Sequence, residues 1–256
     1  MNLDLTGRTA LVTGSTSGIG AAAAAALAAA GAEVVVNGRD PGRVAETAAR
    51  IGGRGIAADV GTAEGIAELV DQLPDVDVLV NNAGIFAAQP VFEIPDSEWQ
   101  RFYEVNVLSG VRLSRHYAPR MAERGWGRVI FVSSDSSVQI PTEMVHYGLT
   151  KTAQLSLSRG MAQELAGTGV TVNAVLPGPT LTPGVREFVA SLHPDVEFAE
   201  AERRFMAEDR PTSLLGRLIR PEEIANLITY VASDLSSATT GGALRVDGGV
   251  TSSIIP

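Results

Sequence analysis

The 256-residue chain contains no cysteine, and of its 20 basic residues only Lys151 is a lysine. Without thiols there are no disulfides, no thiolate nucleophile and no cysteine-ligated zinc. That composition suits a reducing compartment, and a cytoplasmic protein is expected. Positive charge is scarce as well: 29 acids outweigh the 20 bases, the net charge is −9, and no Lys/Arg-rich run occurs. Nucleic-acid binding, which depends on neutralising phosphates, is not expected. Long apolar runs are also missing. Residues 21–30, AAAAAALAAA, are the most apolar-looking stretch, well short of the ~20 residues needed to cross a bilayer. They follow a glycine turn and not a basic segment, so they do not resemble a signal peptide, and no membrane partner is expected. Alanine is the best helix former, so the stretch reads as a helix whose small side chains let it approach a sheet closely. No Cys/His/Asp/Glu cluster suggests a metal site. The composition is 45% apolar, enough for a large core. No repeat or linker divides the chain, so one domain over residues 1–256 is expected.

Short β-branched or apolar runs alternate with helical patterns. Thr9–Thr13, Glu33–Asn37, Arg54–Asp59, Val76–Asn81, Arg128–Ser133, Thr171–Leu176 and Gly242–Asp247 read as strands, each closed by Gly, Asn, Asp, Ser or Pro. Helices are expected at Ile19–Ala30, Pro41–Ile51, Ala63–Leu73, Asp96–Glu123, His146–Gly167 and Pro221–Ser233. This alternation predicts an α/β fold: a doubly wound parallel sheet of about seven strands, with helices on both faces. Residues 179–212 break the pattern with prolines and mixed charges and read as a substrate-binding flap.

The lone lysine stands four residues after a tyrosine, in Tyr147-Gly148-Leu149-Thr150-Lys151. Positions i and i+4 share a helix face. A compact ammonium fits beside a phenol where a planar guanidinium fork would not. The pair therefore predicts a phenol pKa lowered from about 10 toward the working pH, which suits a general acid or base.

The first strand runs into Thr13-Gly14-Ser15-Thr16-Ser17-Gly18-Ile19-Gly20 and then the alanine helix. Glycines there let backbone approach a pyrophosphate at a helix N-terminus. A tight turn without a ligand makes the same demand, so the reading rests on the strand before and the helix after. The second strand ends in Asn37-Gly38-Arg39 with no acid until Asp40. Arg39 can pair with a 2′-phosphate, which favours NADP(H) over NAD(H). The alternatives are a solvated arginine at a helix entrance and an Asp40 that faces the ribose instead of capping the helix.

These motifs, with Asp59-Val60, Asn81-Asn82-Ala83-Gly84, Asn106, Ser134 and Pro177-Gly178, resemble the short-chain dehydrogenase/reductase family from Leu5 to Gly249. The resemblance implies a Rossmann-type fold and interconversion of a ketone and a secondary alcohol by hydride transfer. It implies Tyr147 as proton donor or acceptor, and Lys151 on the nicotinamide ribose and beside the phenol. Ser134 would hold the substrate oxygen. Asn106 would occupy a local helix distortion and hold a water that links Lys151 to solvent. The cofactor would be met by Gly14, Ser15, Thr16, Ser17, Gly18, Ile19, Gly20 and Arg39, by Asp59 and Val60 at the adenine, and by Asn82, Ala83 and Gly84 along the ribose. Pro177, Gly178, Thr180 and Thr182 would lie against the nicotinamide, although the two threonines also suit an ordinary loop turn.

Similar sequences include 3-oxoacyl-carrier-protein reductases, so an acyl thioester is the alternative substrate to a free small carbonyl compound. Arg124 and Arg128 offer part of a basic docking patch for an acidic carrier. A non-catalytic, cofactor-sensing scaffold is a remoter alternative, which would not need an intact Asn106, Ser134, Tyr147 and Lys151 set. Asp135, Glu143 and His146 are candidates to shape the pocket, and the family chemistry does not require His146. The resemblance also implies a homotetramer, or a homodimer, built through residues 96–123, 146–167 and 242–249.

Overall fold

The computed structural model describes residues 3–254. Seven parallel strands form one sheet in the order β3-β2-β1-β4-β5-β6-β7. They are β1 (Thr9–Val12), β2 (Glu33–Gly38), β3 (Arg54–Ala57), β4 (Val78–Asn81), β5 (Gly127–Val132), β6 (Val170–Pro177) and β7 (Ala243–Val246). The first three crossovers carry α1 (Gly18–Ala29), α2 (Pro41–Ile51) and α3 (Ala63–Gln72). Next come α4 (Asp96–Tyr103), α5 (Ser109–Glu123) and α6 (Val145–Glu164), followed by α7 (Pro183–Leu192), α8 (Phe198–Glu208) and α9 (Pro221–Ala232). Strand order reverses between β1 and β4, and at such a reversal crossovers leaving to opposite faces open a crevice at the carboxyl ends of the strands.

The sheet is buried on both faces. Along β1, β4 and β5, Leu11, Leu79, Val129 and Phe131 point into one core with Ile66 and Leu69 of α3 and Leu113, Tyr117 and Met121 of α5. The intervening Ala10, Val12, Val78, Val80 and Ile130 enter the other core with Ala23, Ala24 and Leu27 of α1 and Ile224, Ile228 and Val231 of α9. This is the two-residue side-chain period of a strand covered twice. The alanine segment is α1, and its buried Ala23 and Ala24 let the helix approach the sheet closely.

Two local features depart from the expected elements. The long helix at Asp96–Glu123 is interrupted by a π-turn at Glu104–Leu108, which separates α4 from α5. The flap of residues 179–212 folds into α7 and α8 with a small core of its own, made of Val189, Ala201, Phe205 and Met206 with Leu218.

Candidate active site

The carboxyl ends of the strands open into two adjoining spaces. One is a cleft of about 570 Å³, lined by Gly14, Thr16, Ser17, Arg39, Asp59, Val60, Ala83 and Gly84 among others. The other is a cavity of about 190 Å³, with Ser134, Tyr147, Pro177, Gly178, Thr180 and Thr182 in its wall together with Ile19. These two linings hold most of the sequence-marked positions, but not Ser15, Gly18, Gly20, Asn82, Asn106 or Lys151.

The cleft suits a dinucleotide. Gly14 has a left-handed φ of 61°, and a Cβ there would come within 3.0 Å of Ala83 Cα. Gly20 is required by close approach: its Cβ would lie 2.4 Å from Asn82 Nδ2. The Asn82 amide ties that loop to the turn through Thr13 O at 2.9 Å and Gly14 O at 3.1 Å. Ser17 makes no side-chain cap for α1, and no acid occupies the first turn. The exposed helix end therefore fits an anion such as a pyrophosphate. Asp40 is spent as the N-cap of α2, accepting from Gly42 N at 2.8 Å and Arg43 N at 3.1 Å, so this acid is engaged within its own helix. Arg39 and Arg43 line an adjoining recess with Thr16, Asp40 and Pro41; no sequence motif marks Arg43.

Several expected positions are engaged within the fold itself. Ser15 does not face the cleft. It is fully buried, its hydroxyl donates to Val12 O at 2.7 Å and its amide to Asn37 O at 2.9 Å, so it joins β1 to β2. Thr180 and Thr182 do reach the cavity wall, but their hydroxyls serve local bonds, to Gly178 O and from Val185 N. His146 is fully buried, packed on Phe102 at 4.0 Å between ring centroids, and does not line the cavity. Both its ring nitrogens lack partners, and burial lowers its pKa.

At the catalytic end, Ser134 Oγ donates to the buried Asp135 Oδ1 at 2.8 Å, and the same oxygen accepts from Ser136 N at 2.8 Å. Burial raises the Asp135 pKa. Lys151 Nζ lies 5.5 Å from the centroid of the Tyr147 ring and donates to Val132 O at 2.8 Å. The pKa expectation for the phenol is overturned. Burial pushes Tyr147 up to about 12; the Ser134 hydroxyl pulls it down and the Asp135 charge pushes it further up. Lys151 offsets this only weakly, because burial drives its own pKa down to about 7 and its charge is therefore partial near neutral pH.

Asn106 falls in the π-turn, as the resemblance implies. Its side chain bridges Ile85 N at 2.8 Å and Thr150 Oγ1 at 3.0 Å. Its backbone oxygen accepts from the Gln154 side chain at 2.6 Å. Gly84 closes this corner: a Cβ there would lie 3.4 Å from Asn106 Oδ1 and 3.6 Å from Lys151 Nζ.

The proposed docking arginines are structural. Arg128 is buried, pairs with Asp234 at 3.2 Å and stacks on Trp126. Arg124 pairs with Asp75 at 2.7 Å and Asp77 at 3.7 Å. Among the described residues no group of three or more His, Cys, Asp and Glu is placed to hold a metal, and no helix is long and apolar enough to cross a membrane.

A family model described as "Enoyl-(Acyl carrier protein) reductase" matches residues 14–251. The uncharacterized oxidoreductase YvaG of Bacillus subtilis (strain 168) is 52% identical, covering 99% of this chain and all of that one. D-beta-hydroxybutyrate dehydrogenase of Cupriavidus necator is 33% identical over 96% of this chain and 98% of its own length. Among solved structures, L-sorbose reductase from Gluconobacter frateurii, complexed with NADPH and L-sorbose, superposes with a TM-score of 0.94. It is 32% identical and covers 99% of this chain and 100% of that one. With the motifs, the parallel sheet and these relatives in agreement, the chain belongs to the short-chain dehydrogenase/reductase family.

Proposed function

We propose that this chain is an NADP(H)-dependent oxidoreductase that interconverts a small ketone and its secondary alcohol, with Tyr147 as the general acid and base. The observation that carries the reading is the common wall formed by Ser134 and Tyr147 in a compact cavity that adjoins the dinucleotide cleft. The nicotinamide cofactor, when bound, supplies the hydride for reduction and accepts it in oxidation. Tyr147 supplies the proton that completes the alcohol, or takes it from the hydroxyl in the reverse direction. The Ser134 hydroxyl, turning its proton from Asp135 Oδ1 to the substrate oxygen, holds that oxygen near the phenol. Lys151 steadies the ribose end of the cofactor, and Arg39 with Arg43 receives the 2′-phosphate. Asp59, Val60 and residues 82–84 hold the adenosine half.

A free small molecule fits better than a carrier-bound acyl chain. The cavity is compact at about 190 Å³, Arg124 and Arg128 are occupied within the fold, and two relatives are named for small hydroxy or carbonyl compounds. The test is NADPH oxidation on a panel of small ketones beside an acetoacetyl thioester, with NADH in parallel. Turnover of the ketones with NADPH supports the reading; turnover confined to the thioester contradicts it.

We also assign self-association, as a tetramer or dimer, to the face where Tyr103 and Leu149 are 43% and 46% exposed beside Trp99. Light scattering at micromolar concentration tests it, and a monomer contradicts it.

A further inference from the structure

Arg210 follows α8 at the end of the flap, and its side chain forms part of the wall of the catalytic cavity. That side chain is only 14% exposed, and its guanidinium carbon lies 5.2 Å from the centroid of the Phe205 ring. Phe86, Met144, Val185 and Phe188 make the surrounding wall apolar. A cation drawn this far from water needs compensating partners, and Arg210 is short of them. Nη1 donates to Asp209 O at 2.7 Å. Nη2 meets Glu143 Oε1 at 3.5 Å, well beyond the about 2.7–2.9 Å of a tight charge-assisted bond.

The other charged residue on the wall, Asp135, spends its Oδ1 on Ser134 and Ser136; the Arg210 charge acts on its carboxyl across the cavity, but no direct ion pair joins the two among the described residues. Arg210 is the one cation lining this cavity among those residues. A planar fork with unspent donors, held by an aromatic ring in an apolar pocket, is suited to bidentate capture of a carboxylate. A phosphate dianion would call for a second cation or a nest of backbone amides, and the wall shows no second cation.

We propose that Arg210 reads a carboxylate on the substrate. The cavity takes a compact oxo acid, or the matching hydroxy acid, with its reacting oxygen at Ser134 and Tyr147 and its carboxylate on Arg210. The proposal rests on the ketone–alcohol reading above and names the substrate class of that site. Arg210 sets specificity, and the carboxylate leaves the reaction unchanged.

The test is a matched pair, levulinate and methyl levulinate, assayed with NADPH at one pH. The wild type is expected to favour the acid in kcat/KM by about tenfold or more, the scale of a hydrogen bond between charged groups. Arg210→Gln should bring the acid-to-ester ratio to about one, chiefly through the KM of the acid, with Arg210→Lys intermediate. Equal use of acid and ester by the wild type, or a preference that survives in Arg210→Gln, overturns the proposal.

Should Arg210→Gln fail to fold, Glu143→Gln decides. It removes the carboxylate competing for Arg210 and should lower the KM of the acid; a raised or unchanged KM overturns the proposal. Turnover of neither compound by the wild type counts against the underlying reaction. Carboxylate capture is then read separately, from a thermal shift of the wild type with butyrate: a shift that Arg210→Gln or Arg210→Lys abolishes supports it, and no shift overturns it.

Discussion

The side-chain amide nitrogen of Gln154 donates to the backbone oxygen of Asn106 at 2.6 Å. The other end of the same amide, Oε1, faces the Lys151 ammonium at 3.5 Å. The Gln154 side chain thus connects the π-turn to the lysine. All three residues are buried. Gln154→Leu should cost about 1–3 kcal/mol, the scale of a buried polar group left unpaired, and should lower kcat. Gln154→Ala leaves room for a water and should lower kcat less. Melting temperature and kcat measured together check this; an equal or larger kcat loss in the alanine variant contradicts it.

Asp135 adds a charge contribution to the tyrosine, after burial and the Ser134 hydroxyl. Its carboxylate raises the Tyr147 pKa, so Asp135→Asn should lower it. Reduction needs the phenol protonated, and its alkaline limb should move to lower pH in the variant. Oxidation needs the phenolate, and its acidic limb should move the same way. Rate profiles in both directions test this, and limbs that stay in place refute it.

Lys151 makes the stability of the cofactor-free protein depend on pH. Burial lowers its pKa to about 7 from the ordinary 10.5. Between those values the unfolded chain keeps a proton that the folded chain has released, so this group's contribution to stability rises with pH across the window. Lys151→Met should remove that rise. Melting curves from pH 7 to about 10 should show the wild type gaining on the variant; parallel curves contradict the account.

The proposed preference for NADP(H) rests on two exposed arginines at the recess beside Thr16. Replacing Arg39 and Arg43 with alanine should weaken NADPH about tenfold or more while leaving NADH nearly unchanged, and the wild-type preference should fall with added salt. Fluorescence titration with both cofactors measures it. Equal losses for NADPH and NADH would remove the phosphate assignment.

Much of the fold is legible in the sequence because parallel strands buried on both faces read as short apolar runs. Each of the seven runs became a strand, with boundaries shifted by a residue or two. Val76 and Asp77, for example, precede β4, since pairing with β1 begins at Ala10 and Val78. Asp40 as a helix cap was legible too, since it directly precedes the proline at the first position of α2. The break at Glu104–Leu108 was not visible in the pattern itself, because a π-turn inserts no proline or glycine and leaves the apolar spacing nearly intact.

The site was legible in its positions more than in its energetics. Tyr147 and Lys151 share a helix face as the spacing requires, yet the phenol's pKa is shifted first by burial, then by the Ser134 hydroxyl and Asp135, which the Tyr–Lys spacing does not reveal. Ser15 falls within the glycine motif but turns inward, because β2 offers Asn37 as a partner. Arg43, Gln154 and Arg210 belong to no motif. Only the packing of α2, α6 and the flap brings them to the cleft, to Asn106 and to the cavity wall.

The central claim is that Tyr147 moves the proton while hydride passes to or from the substrate. The measurement is kcat of Tyr147→Phe on a ketone that the wild type reduces, with NADPH binding followed by fluorescence in the same protein. The account predicts a loss of about 10²–10⁴ in kcat, the usual worth of a positioned general acid, with NADPH binding retained. Turnover within about tenfold of the wild type, a barrier change of only ~1.4 kcal/mol, would contradict it.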